Sequence, residues 1–169
     1  GETIQHHLGV SGFATHAVVS ELSVVPVGSD VPADIAAILG CAILTGGGAI
    51  LNEIDPKPED SIAVVGLGGV GMAAIITAAA LGVKEIVGID MQKDKCDKAI
   101  EIGATSAMTP QEAEESGKKF TAVVEAAGHP KALETAYKVT APGGLTVTVG
   151  LPAPGSTITI DPLVMTAEA

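Results

Sequence analysis

An α/β fold with a doubly wound parallel sheet is predicted by three observations. Apolar runs of strand length alternate with helical stretches from Ser61 onward. A cluster of glycines separates the first strand from the first of these helices. The 169 residues, 47% of them hydrophobic, suffice for one main core burying roughly two thirds of the unfolded-chain surface.

Taken in order, residues 61–66 read as a strand, 69–81 as an Ala-rich helix, 85–90 as a second strand, and 92–102 as a helix ending at Gly103. A short strand at 105–108, a polar helix at 111–118 and a strand at 120–126 come next. Pro130 opens a helix to about Val139, because its missing donor would be unpaired in a first turn anyway. Pro142-Gly143-Gly144 then turns the chain into a strand at 145–150, and 157–160 adds a short extended piece. The sheet therefore has five strands, one fewer than a complete doubly wound sheet.

Before Ser61 the pattern differs, with a β-like stretch at 13–27 and helical segments at 32–39 and 41–52. A boundary near Ser29 divides the chain into residues 1–29 and 30–169. The first residues have neither an initiating Met nor a basic region leading into an apolar run, so they read as the interior of a longer protein.

The net charge of −11 repels polyphosphate and argues against nucleic acid. Residues 62–83 carry no charge over a length that could span a bilayer, but four glycines crowded into one turn argue against a continuous helix and a membrane role. The two cysteines, Cys41 and Cys96, suit a reducing cytosol and leave room for one bridge.

The chemistry-bearing motif is Gly66-Leu67-Gly68-Gly69-Val70-Gly71, a GxGxxG sequence. By itself it is weak, but here it follows a strand, opens a helix and precedes Asp90, at the end of the next strand, by about 20 residues. These are the features of a Rossmann dinucleotide site. Gly66 permits the tight turn, Gly68 lets a pyrophosphate approach the backbone, and Gly71 lets helix pack on strand. Asp90 should bond the adenosine ribose hydroxyls and repel a 2′-phosphate, which predicts NAD in preference to NADP.

With these residues in place, the chain resembles the zinc-dependent medium-chain alcohol dehydrogenases, including glutathione-dependent formaldehyde and aryl-alcohol dehydrogenases. His6-His7-Leu8-Gly9-Val10-Ser11-Gly12-Phe13-Ala14-Thr15-His16 is similar to the last segment of that family's catalytic, GroES-like domain. Leu39-Gly40-Cys41-Ala42-Ile43-Leu44-Thr45-Gly46 is similar to its LGC…TG signature. The resemblance implies that Cys41 is a catalytic zinc ligand, that Thr45 lies beside the nicotinamide and that Val70 backs its ring. It further implies that Asp90 and Lys95 hold the adenosine ribose, that Ala126 and Ala127 of the Glu125-Ala126-Ala127-Gly128 segment lie beside the adenine, and that the backbone of Val149, Gly150 and Leu151 holds the carboxamide. The other catalytic zinc ligands and a four-cysteine structural cluster belong, by that resemblance, before Gly1, so no complete catalytic set is expected in this chain and no turnover alone.

The implied parent is a cytoplasmic homo-oligomeric enzyme that oxidises a small alcohol to an aldehyde with NAD. Two other readings stay open: a non-catalytic NAD-binding redox sensor, and a zinc-independent relative of the quinone reductases. Cys96 is expected to pack in the core. His6 and His7, adjacent in a strand, would face opposite ways and cannot readily share an ion with His16. Glu112, Glu114 and Glu115 read as the solvated face of a polar helix.

Overall fold

The computed structural model describes residues 14–167, so His6 and His7 and the start of the catalytic-domain-like segment lie outside the described residues. The chain divides into two compact units, Gly1–Ala37 and Ile38–Ala169.

In the first unit, residues 14–27 form no strand, contrary to the β-like expectation. Their one regular element is a 3₁₀ turn, Glu21–Ser23, capped by Ser20, whose hydroxyl accepts from the Leu22 N–H. A strand needs a neighbour for its N–H and C=O groups, and this stretch lies exposed, with Val18 99% accessible.

Helix α1 (Ala33–Ile38) continues without a break through a π-helical stretch Leu39–Ile43, α2 (Leu44–Gly48) and a second π stretch Ala49–Ile54. The two expected helices are thus one, because Gly40 lowers helix propensity without removing a hydrogen bond. It ends at Asp55, in the left-handed conformation at φ 47°. The helix Ala33–Ile54 is long and apolar enough to cross a membrane by length and composition. Residues 62–83, in contrast, form a strand, a turn, a helix and a further turn.

Five parallel strands form one sheet in the order β3-β2-β1-β4-β5: β1 (Ser61–Val65), β2 (Glu85–Ile89), β3 (Ser106–Met108), β4 (Phe120–Glu125) and β5 (Thr140–Thr148). This is the expected α/β, Rossmann-like sheet. The alternation of side chains along β1 builds both faces. Ile62 and Val64 join Ile75 and Ala78 of α3 (Gly69–Ala80) and Cys96 and Ala99 of α4 (Lys93–Glu101). Ala63 and Val65 join Ala113 of α5 (Pro110–Glu115) and Ala136 and Val139 of α6 (Pro130–Val139) on the other face. Each fully buried Ile or Val contributes about 1.5–3 kcal/mol, which explains why the strands read as continuous apolar runs.

Two details differ from the expected elements. β5 begins at Thr140, which pairs with Phe120 before Pro142-Gly143-Gly144, and those residues form an irregularity inside the strand in place of a turn before it. Residues 157–160 join no strand; the Thr159 N–H instead donates to Glu134 on α6, and a short α7 (Pro162–Ala167) follows.

Candidate functional site

β1 is the central strand. The chain leaves it toward β2 and β3 on one side, then returns to place β4 and β5 on the other. Such a reversal opens a crevice at the carboxyl ends of the strands, where ligands bind in doubly wound sheets. Gly66, Asp90, Ala126 and Val149 all follow strand carboxyl ends and converge there.

The glycine turn is held from both sides. Gly66 has φ 95° and donates its N–H to Ile89 O at 2.8 Å. A Cβ on Gly66 would lie 2.6 Å from the Ala127 nitrogen. Leu67 is buried over Gly88, where a Cβ would meet its Cδ1 at 3.1 Å. Gly68 differs, because a Cβ there would meet nothing within 4 Å. It is the N-cap of α3 and provides no side-chain cap, so the helix N-terminus opens onto free space suited to an anion. A Cβ on Gly71 would strike Gly66 O at 2.0 Å, which is the helix-on-strand packing its position requires.

Asp90 is tied into the turn. Its Oδ2 accepts from the Leu67 N–H at 2.8 Å and its Oδ1 from the Gln92 N–H at 2.9 Å, while Lys95 Nζ stands 3.9 Å from Oδ2. The two residues implied for ribose binding are therefore side by side, with Asp90 mostly buried and Lys95 about a third exposed.

On the opposite wall, Glu125 ends β4 at 1% exposure. Its Oε1 accepts from the Ala127 and Gly128 N–H groups, both at 2.8 Å, and its Oε2 from the Thr148 hydroxyl at 2.7 Å. The Glu125 carbonyl accepts from the Val149 N–H at 2.8 Å and the Gly150 N–H at 3.2 Å. Sequence reading placed Glu125 in the motif but gave it no role. The available signal was a carboxylate closing the apolar strand Phe120–Glu125 immediately before Ala126-Ala127-Gly128.

Thr45 and Cys41 are carried on the helix that packs against α3. Gly46 makes this possible, since a Cβ there would lie 2.1 Å from Val70 O, and a Cβ on Gly69 would touch Ala42 at 3.6 Å. Both cysteines are free, Cys41 exposed and Cys96 buried. Burial raises the Cys96 thiol pKa, and its Sγ donates to Asp90 O at 3.5 Å. Among the described residues no group of three or more His, Cys, Asp or Glu side chains converges as a metal site. A catalytic zinc takes three protein ligands, so the described residues do not by themselves fit that ion.

The acidic run on α5 does more than face solvent. Glu112 completes a capping box with Thr109, and these hydrogen bonds from the Thr109 backbone and hydroxyl lower its pKa. Glu114 binds Lys138 at 2.8 Å and the Thr135 hydroxyl at 2.7 Å, which ties α5 to α6. A groove of about 660 Å³ lined by Lys118, Tyr137, Lys138, Gly143 and Asp161 shares no residue with the crevice.

Known proteins share this fold. A family model described as zinc-binding dehydrogenase matches residues 69–168. Geraniol dehydrogenase of Castellaniella defragrans is 36% identical over 158 residues, covering 89% of this chain and 42% of that enzyme. An alcohol dehydrogenase zinc-binding domain protein from Burkholderia ambifaria superposes with a TM-score of 0.84 at 28% identity, covering 94% of this chain and 45% of that one. Benzyl alcohol dehydrogenase from Acinetobacter calcoaceticus also gives 0.84, at 29% identity over 92% of this chain and 46% of its own. The chain thus spans less than half the length of these relatives. The family match covers residues 69–168, which include the end of the glycine turn, Asp90 and the loops after β4 and β5, and the chain belongs to the zinc-binding dehydrogenase family.

Proposed function

We propose that this chain is the NAD-binding part of an alcohol dehydrogenase that transfers hydride from a primary alcohol, or an alcohol-like adduct, to the nicotinamide. The observation that carries the reading is the open space at Gly68, at an uncapped helix N-terminus, beside a mostly buried Asp90. When bound, NAD supplies the hydride acceptor. The turn from Gly66 to Gly71 would hold the pyrophosphate through backbone N–H groups, so that no basic side chain is needed. Asp90 and Lys95 would hold the adenosine ribose, and Ala126 and Ala127 would flank the adenine. Val70 and Thr45 would border the nicotinamide, with its carboxamide on the backbone of Val149, Gly150 and Leu151. The negative charge of Asp90 favours NAD over NADP, whose 2′-phosphate it would repel.

In the whole enzyme Cys41 would serve as one catalytic zinc ligand, with the remaining donors supplied by other residues. Residues 1–29 belong with the catalytic domain and 30–169 with the cofactor domain. The substrate is a small alcohol or aldehyde, as the names of the geraniol and benzyl alcohol dehydrogenases suggest. The net charge of −11 supports a reading without nucleic-acid partners. Close packing of Gly46 on α3 supports a reading in which its helix packs within the protein and does not span a membrane, and the whole enzyme would be a cytoplasmic homo-oligomer.

Paired titration of the intact enzyme with NADH and NADPH, followed by coenzyme fluorescence, tests the reading. Saturable binding with NADH preferred is the expected result. Equal or tighter NADPH binding would overturn the role given to Asp90, and failure of both coenzymes to bind the intact enzyme would overturn the cofactor site.

A further inference from the structure

We propose that Glu125 is a positioning residue for the cofactor, its buried carboxylate holding the two loops that wall one side of the crevice; this rests on the NAD-binding reading above. Val65, Glu125 and Thr148 end neighbouring strands and lie in register across β1, β4 and β5. In the loops that follow β4 and β5, Glu125 accepts four backbone N–H groups: Ala127 and Gly128 on its carboxylate, Val149 and Gly150 on its carbonyl. The carboxylate adds the Thr148 hydroxyl, so that β5 is fixed to the β4 loop by a side chain as well as by the ladder.

Glu125 forms no salt bridge with a described residue. Burying a carboxylate without a cation is costly unless donors satisfy it, and here three donors converge on its two oxygens. A buried apolar side chain would fill the same space without that requirement, so the arrangement is explained by what the acceptor fixes. Two backbone positions depend on it. Ala127 is set so closely against Gly66 that a Cβ on the glycine would lie 2.6 Å from its nitrogen. Gly128, at φ 67°, is set against Leu151, whose N and O would each be 2.8 Å from an added Cβ. Glu125 therefore aligns the β4 loop with both the glycine turn and the β5 loop, and it does so from behind the surface that the cofactor would touch.

The test compares NADH binding by the intact enzyme with that of Glu125→Gln, Glu125→Met and Glu125→Asp, with thermal melting to confirm folding. The Gln variant keeps an acceptor for the two N–H groups and should bind within about threefold of the parent, whereas the Met variant keeps the volume without the acceptor and should bind about tenfold more weakly or worse. The Asp variant keeps the charge but not the reach, and should weaken binding about fivefold; it carries the test if the Met variant does not fold. If the parent binds NADH and the Met or Asp variant binds as tightly, the positioning role is overturned while the cofactor site stands. An equal loss in all three variants, Gln included, also overturns it. A parent that binds no NADH overturns the cofactor reading and this role with it.

Discussion

Gly66 and Gly68 are two positions apart, yet a side chain at each would fail for a different reason. Gly66 has φ 95° and abuts Ala127, so Gly66→Ala adds left-handed backbone strain and a backbone clash. We expect a loss of about 2 kcal/mol or more in denaturant unfolding. Gly68 has φ −82° and no neighbour within 4 Å, so Gly68→Ala should leave the unfolding midpoint nearly unchanged and still weaken NADH binding, because the methyl occupies space the pyrophosphate would need. Equal NADH affinity in parent and Gly68→Ala would remove that role. At Asp90, replacement by Asn keeps an acceptor for the Leu67 N–H and removes the charge facing a 2′-phosphate. The preference for NADH over NADPH should fall by about tenfold, read as the ratio of the two dissociation constants. These residues were legible because their spacing is local: a glycine turn, then an acid at the end of the next strand. Glu125 was not, because its role exists only once three strand ends lie side by side.

At the scale of elements, the tie between α5 and α6 shows what periodicity does not reveal. The polar pattern alone makes the acidic run a solvated face, but the sheet brings α5 alongside α6, so Glu114 meets Lys138 and Thr135. Hydrogen bonds from Lys138 and Thr135 hold the Glu114 carboxyl below the usual carboxylate range. A carboxylate depressed on folding stabilises the fold above its unfolded pKa and loses that contribution as the pH falls through its folded value. Thermal midpoints of parent and Glu114→Gln should therefore differ at neutral pH and converge on acidification below the ordinary carboxylate range. A gap that persists in acid would mean that the contact acts by packing and not by charge. The central strands β1, β2 and β4 were predicted to within a residue or so because burial on both faces leaves its mark on nearly every position. The failures lie where pairing decides: residues 14–27 pair with no strand among the described residues, and Thr140 joins β5 because Phe120 is beside it.

For the whole molecule, the cofactor and the metal make opposite demands on this chain. Its glycine turn, Asp90 and the loops after β4 and β5 all belong to the compact unit Ile38–Ala169, so a nicotinamide dinucleotide should bind the folded form and not the unfolded one. Ligand linkage then stabilises the fold by about 2.7 kcal/mol at a hundred times the dissociation constant. For a chain of this size that corresponds to a rise of roughly 5–10 °C in thermal midpoint. Zinc has no comparable site among the described residues, where Cys41 is exposed and no three ligating side chains converge. Added zinc or a chelator should therefore leave the midpoint of this chain unchanged, and Cys41→Ser should leave the NADH-dependent rise intact. A midpoint that fell with chelator and recovered with zinc would show that this chain closes a metal site by itself, and the assignment of the remaining ligands to other residues would have to be abandoned.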